Sequence, residues 1–116
     1  TNASSGYAVT IEGATLTSGS NTITAIGGTA STSDTGIEQF GIRITSSGGD
    51  GAVTAPYNDA TDYAYDADSG TTDEVASASG ATADTTYVVR YLANIASNTE
   101  AGSYSTALTY VATANF

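Results

Sequence analysis

Residues 85–116, TTYVVRYLANIASNTEAGSYSTALTYVATANF, decide the fold. Tyr87, Val89, Tyr91, Ala93 and Ile95 share one parity, and Val88, Arg90, Leu92 and Asn94 share the other. The alternation returns with Tyr104, Thr106, Leu108, Tyr110, Ala112, Ala114 and Phe116. Side chains of an extended chain point to opposite faces in turn, so a period of two in β-branched and aromatic residues marks a strand. The polar residues 97–102 provide the connection. The pattern predicts a β-hairpin, or two strands that cross between packed sheets.

Working outward, residues 37–45, IEQFGIRIT, form the second strong run, with Phe40, Ile42 and Ile44 facing inward together. Gly41 inside that run signals a bulge or a close backbone approach. Residues 6–12 form a strand with Tyr7, Val9 and Ile11 on one face. Residues 14–17 and 21–26 read as a hairpin turning at Ser18-Gly19-Ser20. Residues 27–36 read as a loop, and 53–57 as an edge segment because Pro56 cannot donate to a ladder. Tyr63 and Tyr65 sit at strand spacing, and Val75 centres a short strand over 73–78. No segment spaces large apolar residues as a helix does. Seven to nine short strands with frequent turn signals predict an all-β, two-sheet antiparallel β-sandwich of Ig-like or jelly-roll-like type. Residues 1–116 form a single domain. Phe40, Ile42, Ile44, Tyr91, Leu108 and Tyr110 are its expected core.

Composition narrows the function. There is no Cys, His, Met, Trp or Lys, and Arg43 and Arg90 are the only cations against 12 acids, a net charge of −10. Ser-His and Cys-His nucleophiles are excluded, as are zinc sites that need imidazole or thiolate. No Lys can serve a phosphate-binding loop. Half of the acids lie in one loop rather than on opposed strands, and no Trp is present to stack a sugar, so no glycosidase pair is expected. The chain reads as a non-enzyme. Phosphate binding needs Lys and Arg, so neither nucleic acid nor an anionic membrane is an expected partner. No apolar run approaches the ~18–20 residues of a membrane span, and none is expected to insert. A surface dominated by Thr, Ser, Gly and Ala fits an extracellular or cell-surface setting.

Leu, Ile, Val and Phe account for only 18 of 116 residues. Below ~20 %, at high net charge, such a composition warns of disorder. Here the apolar residues fall in alternating runs, and eight tyrosines add large amphipathic surface. The expectation is a folded domain with a thin core, one that gains from a neighbour or a metal.

Three features bear on sites. Asn58, Asp59, Asp62, Asp66, Asp68, Asp73 and Glu74 cluster together, and Asp66-Ala67-Asp68-Ser69-Gly70 has the D-x-D-x-G form of a calcium loop. Asp66 and Asp68 are its candidate ligands, although the bidentate Glu of an EF-hand is missing; the alternative is a solvated acidic loop. Asn2-Ala3-Ser4 is the one glycosylation sequon, with Asn2 as acceptor. Arg90 pairs with an acid on an adjacent strand or faces solvent. Tyr87, Tyr91, Tyr104 and Tyr110 read as core or inter-sheet packing before they read as an aromatic binding patch.

The segments TNASSGYAVTI at 1–11, IEQFGIRI at 37–44 and the ending VVRYLANIASNTEAGSYSTALTYVATANF resemble secreted β-sandwich surface proteins of candidate-phyla bacteria. More distantly, the ending is similar to the last strand of fimbrial and spore-coat-type domains. In such proteins further strands precede the first segment, so the resemblance implies processing, or a sandwich completed by another chain. The resulting expectation is a structural subunit of an extracellular filament, a helical homopolymer joined by β-strand donation. Residues 1–12 are the expected donor, with Tyr7, Val9 and Ile11 as anchors. The C-terminal strand is the lesser candidate, because pairing with residues 85–96 would hold it. The alternative function is a monomeric adhesion or binding module.

Overall fold

The structure is a computed structural model that describes residues 1–67 and 71–116. Among these residues ten strands run in the order β1 Tyr7–Glu12, β2 Thr17–Ser18, β3 Asn21–Thr22, β4 Gly27–Ser31, β5 Gln39–Gly48, β6 Ala52–Val53, β7 Tyr63–Tyr65, β8 Asp73–Ala78, β9 Thr85–Asn94 and β10 Thr109–Ala114. They form two four-stranded antiparallel sheets, ordered β10-β1-β8-β6 and β4-β7-β5-β9, with β2 and β3 as a small separate hairpin. The fold is the two-sheet antiparallel sandwich that the alternating runs predict.

Its core is organised on β5. Phe40, Ile42 and Ile44 are buried on one face of that strand. Ile11 of β1 and Val75 of β8 meet them from the other sheet, with Ile23, Tyr57, Ala64 and Tyr65 completing the cluster. The rings of Phe40 and Tyr65 pack edge to face, with centroids 5.1 Å apart, the arrangement that aromatic quadrupoles favour. Gly41 marks a close approach, as its position in the run predicts: a Cβ there would lie 2.9 Å from Tyr63 Cβ and 3.0 Å from Ile26 Cγ2.

The C-terminal third resolves into the crossing arrangement rather than the hairpin. β9 pairs with β5 along ten residues, from Gln39↔Asn94 to Gly48↔Thr85. β10 pairs with β1 in the opposite sheet, from Tyr7↔Ala114 to Glu12↔Thr109. The pairing between 85–96 and the C-terminal strand, expected from sequence, is therefore absent. The second alternating run is also shorter than its pattern. Ser105 makes an isolated bridge to Thr17, and the ladder begins only at Thr109.

Two further expectations are corrected. Gly27–Ser31 is an edge strand on β7, not a loop; its small residues carry no apolar pattern, and hydrogen bonding rather than burial holds it. Tyr91 and Tyr110 are not core. They stand on the inner parity, yet Tyr91 is 55 % exposed and Tyr110 38 %, because β9 and β10 are the end strands of their sheets among the described residues. Leu108 is half-buried against the core.

Ile42→Ala should destabilise the fold by about 2–5 kcal/mol, the range for truncating a fully buried aliphatic residue. Leu108→Ala should fall below that range. Urea denaturation of both variants checks the ranking.

Candidate functional site

The feature that stands out is the side of the sandwich where β9 and β10 face each other. Ile42 and Tyr91 are direct cross-strand partners, so their side chains emerge on the same face. Ile42 is fully buried, while its partner is more than half exposed. The inter-sheet space thus opens within one strand spacing of the core. A groove of about 580 Å3 results, lined by Leu16, Phe40, Tyr91, Ala93, Ser105, Thr106, Leu108 and Tyr110. Above it every residue of β10 is exposed. Among the described residues β9 pairs only with β5, and β10 only with β1, so each carries an outer row of backbone groups that no neighbouring described strand takes up.

Tyrosine hydroxyls tie the sheets together along this side. Those of Tyr91 and Tyr110 are 2.9 Å apart, and those of Tyr7 and Tyr87 are 2.8 Å apart. The second pair sits over Gly51, where a Cβ would collide with both oxygens. Burial pushes the Tyr87 and Tyr110 hydroxyls above the ordinary tyrosine value, and the hydrogen bond from the partner tyrosine adds to it. Burial raises Tyr65 as well. Tyr65 donates to Gly13 O at 2.6 Å. The expectation that tyrosines at 87, 91 and 110 act between the sheets is met through their hydroxyls, while Tyr91 and Tyr110 also line open surface. The hydroxyl of Tyr104 donates to Glu100 O within its own connection.

The acidic segment lies elsewhere. Asp66, Asp73 and Glu74 line a recess with Tyr57 and Thr54. Tyr57 donates to Asp73 Oδ2 at 2.6 Å, and Thr54 donates to Glu74 Oε1 at 3.0 Å. Burial, together with that bond and the charge of Asp73, pushes the Tyr57 hydroxyl up. Asp59 caps its own loop by accepting from the Thr61 and Asp62 amides; these two bonds hold its carboxyl below the usual carboxylate range. Of the two candidate calcium ligands, Asp66 is in the recess and Asp68 lies outside the described residues. Among the described residues no group of three or more carboxylates is arranged to hold a metal ion.

Asn2 is exposed, ahead of the buried Ala3. Tyr7, Val9 and Ile11 occupy an interior strand, since β1 pairs with β10 on one side and with β8 on the other. Ile11 is buried and Val9 packs on the core. Sequence reasoning missed the groove. Its signal was present in the tyrosines at 91 and 110, whose parity is that of a core but whose partners lie in different sheets.

No protein-family model matches the chain, and no curated protein or solved structure matches it.

The raised tyrosines make stability depend on alkaline pH. A hydroxyl whose pKa rises on folding holds its proton more tightly in the folded state. Its contribution is fully present below the ordinary value of 10.0 and is lost as pH rises through the folded value. Thermal melting followed by circular dichroism should therefore be flat from neutrality to about pH 9 and fall above about pH 10. Tyr87→Phe should make that alkaline fall shallower.

Proposed function

We propose that this chain is a structural subunit of an extracellular filament, in which copies join by β-strand pairing at the open β9/β10 side. The observation that carries the proposal is the exposure of Tyr91 beside the fully buried Ile42. An inner face that stops one strand short of closure leaves apolar lining and edge backbone groups together, and an added strand satisfies both. Its inward side chains fill the groove while its backbone continues the ladder. The thin core supports the same reading, because burial gained between copies supplements what one chain can bury alone. A composition of small polar residues, with no Cys, Met or Lys, supports the extracellular setting.

The choice of donor follows from the ladders. Residues 1–12, with Tyr7, Val9 and Ile11 as anchors, would have to leave two ladders and uncover Ile11. β10 would leave a single ladder and no buried side chain. β10 is therefore the more economical donor, and β1 is better regarded as part of the scaffold that presents the edge.

Val88 and Val111 are 45 % and 46 % exposed on the two edge strands, and lysine on an edge strand is a common natural block to pairing. The double variant Val88→Lys/Val111→Lys should melt like the unaltered chain. In negative-stain electron microscopy it should give dispersed particles where the unaltered chain gives uniform fibres. Fibres from both would place the contact elsewhere, and dispersed particles from both would favour a monomeric binding module that uses the groove.

A further inference from the structure

The two sides of the sandwich end differently. Away from the groove, β4 meets β7 through an irregular register between Gly27 and Ser31, and β6 has two residues. Asp66, Asp73 and Glu74 line the recess beside them. Bulges, short strands and charge blunt an edge against pairing. On the groove side β9 runs for ten residues and β10 for six, and their ladders carry no register shift. Arg90 is the one charged residue on these two strands, and no acid lines the groove. Tyr87, near the start of β9, meets Tyr7, whose ladder partner Ala114 ends β10. The two edge strands therefore run in opposite directions.

We infer that the groove side is a two-fold interface between copies, in which β9 of each pairs with β10 of the other. The inference rests on the proposed strand pairing and names both its partner and its symmetry. Half a turn about an axis parallel to the strands brings each β9 beside the second copy's β10 in antiparallel direction. Neither strand leaves its own sheet, because each uses the edge that its ladder leaves free. Each four-stranded sheet then runs on into the opposite four-stranded sheet of the second copy. The Tyr91–Tyr110 hydroxyl contact puts these two residues at one height along the strands, and the Tyr7–Tyr87 contact puts Tyr87 level with Ala114. The half-turn keeps those heights, so Tyr91 falls opposite Tyr110 of the second copy, and Val88 opposite its Thr113. Inner face meets inner face in that register. Tyr91 and Tyr110 of both copies then gather where the two grooves join, with the ring-to-ring contacts that aromatic residues favour. A half-turn across the strands would instead pair β9 with β9 and bring the two Arg90 side chains together, which like charges oppose. Contact through matching patches closes on itself, so a fibre grows by adding pairs.

The chain has no Cys, so introduced thiols report neighbours directly. Val88→Cys and Thr113→Cys each alter an exposed side chain and should melt as the unaltered chain does. The two variants are mixed in equal amounts, treated with oxidised glutathione, and the disulfide-linked species are identified by mass spectrometry. The mixed disulfide should exceed either homodimer by about tenfold, because only facing residues come close enough to be bridged. The cross-linked pairs should enter fibres at a lower concentration than the unlinked chain. Val111→Cys in place of Thr113→Cys captures a ladder slid by one pair, and a mixed disulfide there supports the inference equally. An excess of Val88→Cys homodimer would set β9 against β9 and overturn it. Fibres that form with no mixed disulfide at either position would also overturn it, while leaving strand pairing at this side standing. If the unaltered chain stays monomeric at every concentration, the inference and the proposed function both fall.

Discussion

The structure depends on burying one row of side chains, Phe40, Ile42 and Ile44, on the inner face of β5. Among the described residues this is the only strand with three large apolar residues buried at alternate positions, and the other elements are arranged to cover it. Ile11 and Val75 reach it from the facing sheet, and Ile23 closes one end. At about 25 cal/mol per Å2 of apolar surface removed from water, these few residues supply much of the drive to fold in a chain with so little Leu, Ile, Val and Phe. The coverage ends abruptly. One strand away, on β9, the inner face is already in contact with solvent.

Tyrosine is the means by which a sandwich with few aliphatic residues reaches its margins. A tyrosine buries its ring while its hydroxyl finds a partner. Two hydroxyl pairs join β9 to the opposite sheet, Tyr87 to Tyr7 and Tyr91 to Tyr110. The same side chains that brace the two sheets also line the groove between them. In the proposed assembly, the residues that brace the sheets are also those that would receive a further strand. That explains how an edge can be open without being loose.

Much of the fold was legible in the sequence because alternation states a strand's two faces directly. Residues 37–45 and 73–78 showed their strands, and Gly41 its close contact. What alternation does not encode is how far a strand lies from the end of its sheet. Tyr91 and Tyr110 carry the parity of core residues, and only the strand order makes them edge residues. Pairing partners were equally hidden: the two runs of the C-terminal third look like a hairpin, but the link between them carries the chain from one sheet to the other. Gly27–Ser31 escaped notice because an edge strand held by hydrogen bonds needs no apolar pattern. That Arg43 and Arg90, 47 positions apart in sequence, stand directly opposite each other depends on the β5–β9 register and is invisible without it.

The central claim is that the outer edge of β9 is where copies meet. Amide hydrogen exchange on assembled and dispersed protein tests it most directly, because backbone groups at a free edge exchange with solvent and those taken into a ladder do not. Strand pairing at this edge predicts that, on assembly, alternate amides of Thr85–Asn94 pass from rapid to slow exchange, while the amides of β1 that pair with β8 change little. Unchanged exchange along β9 in assembled material, with new protection at β1 or β6 instead, would contradict the account.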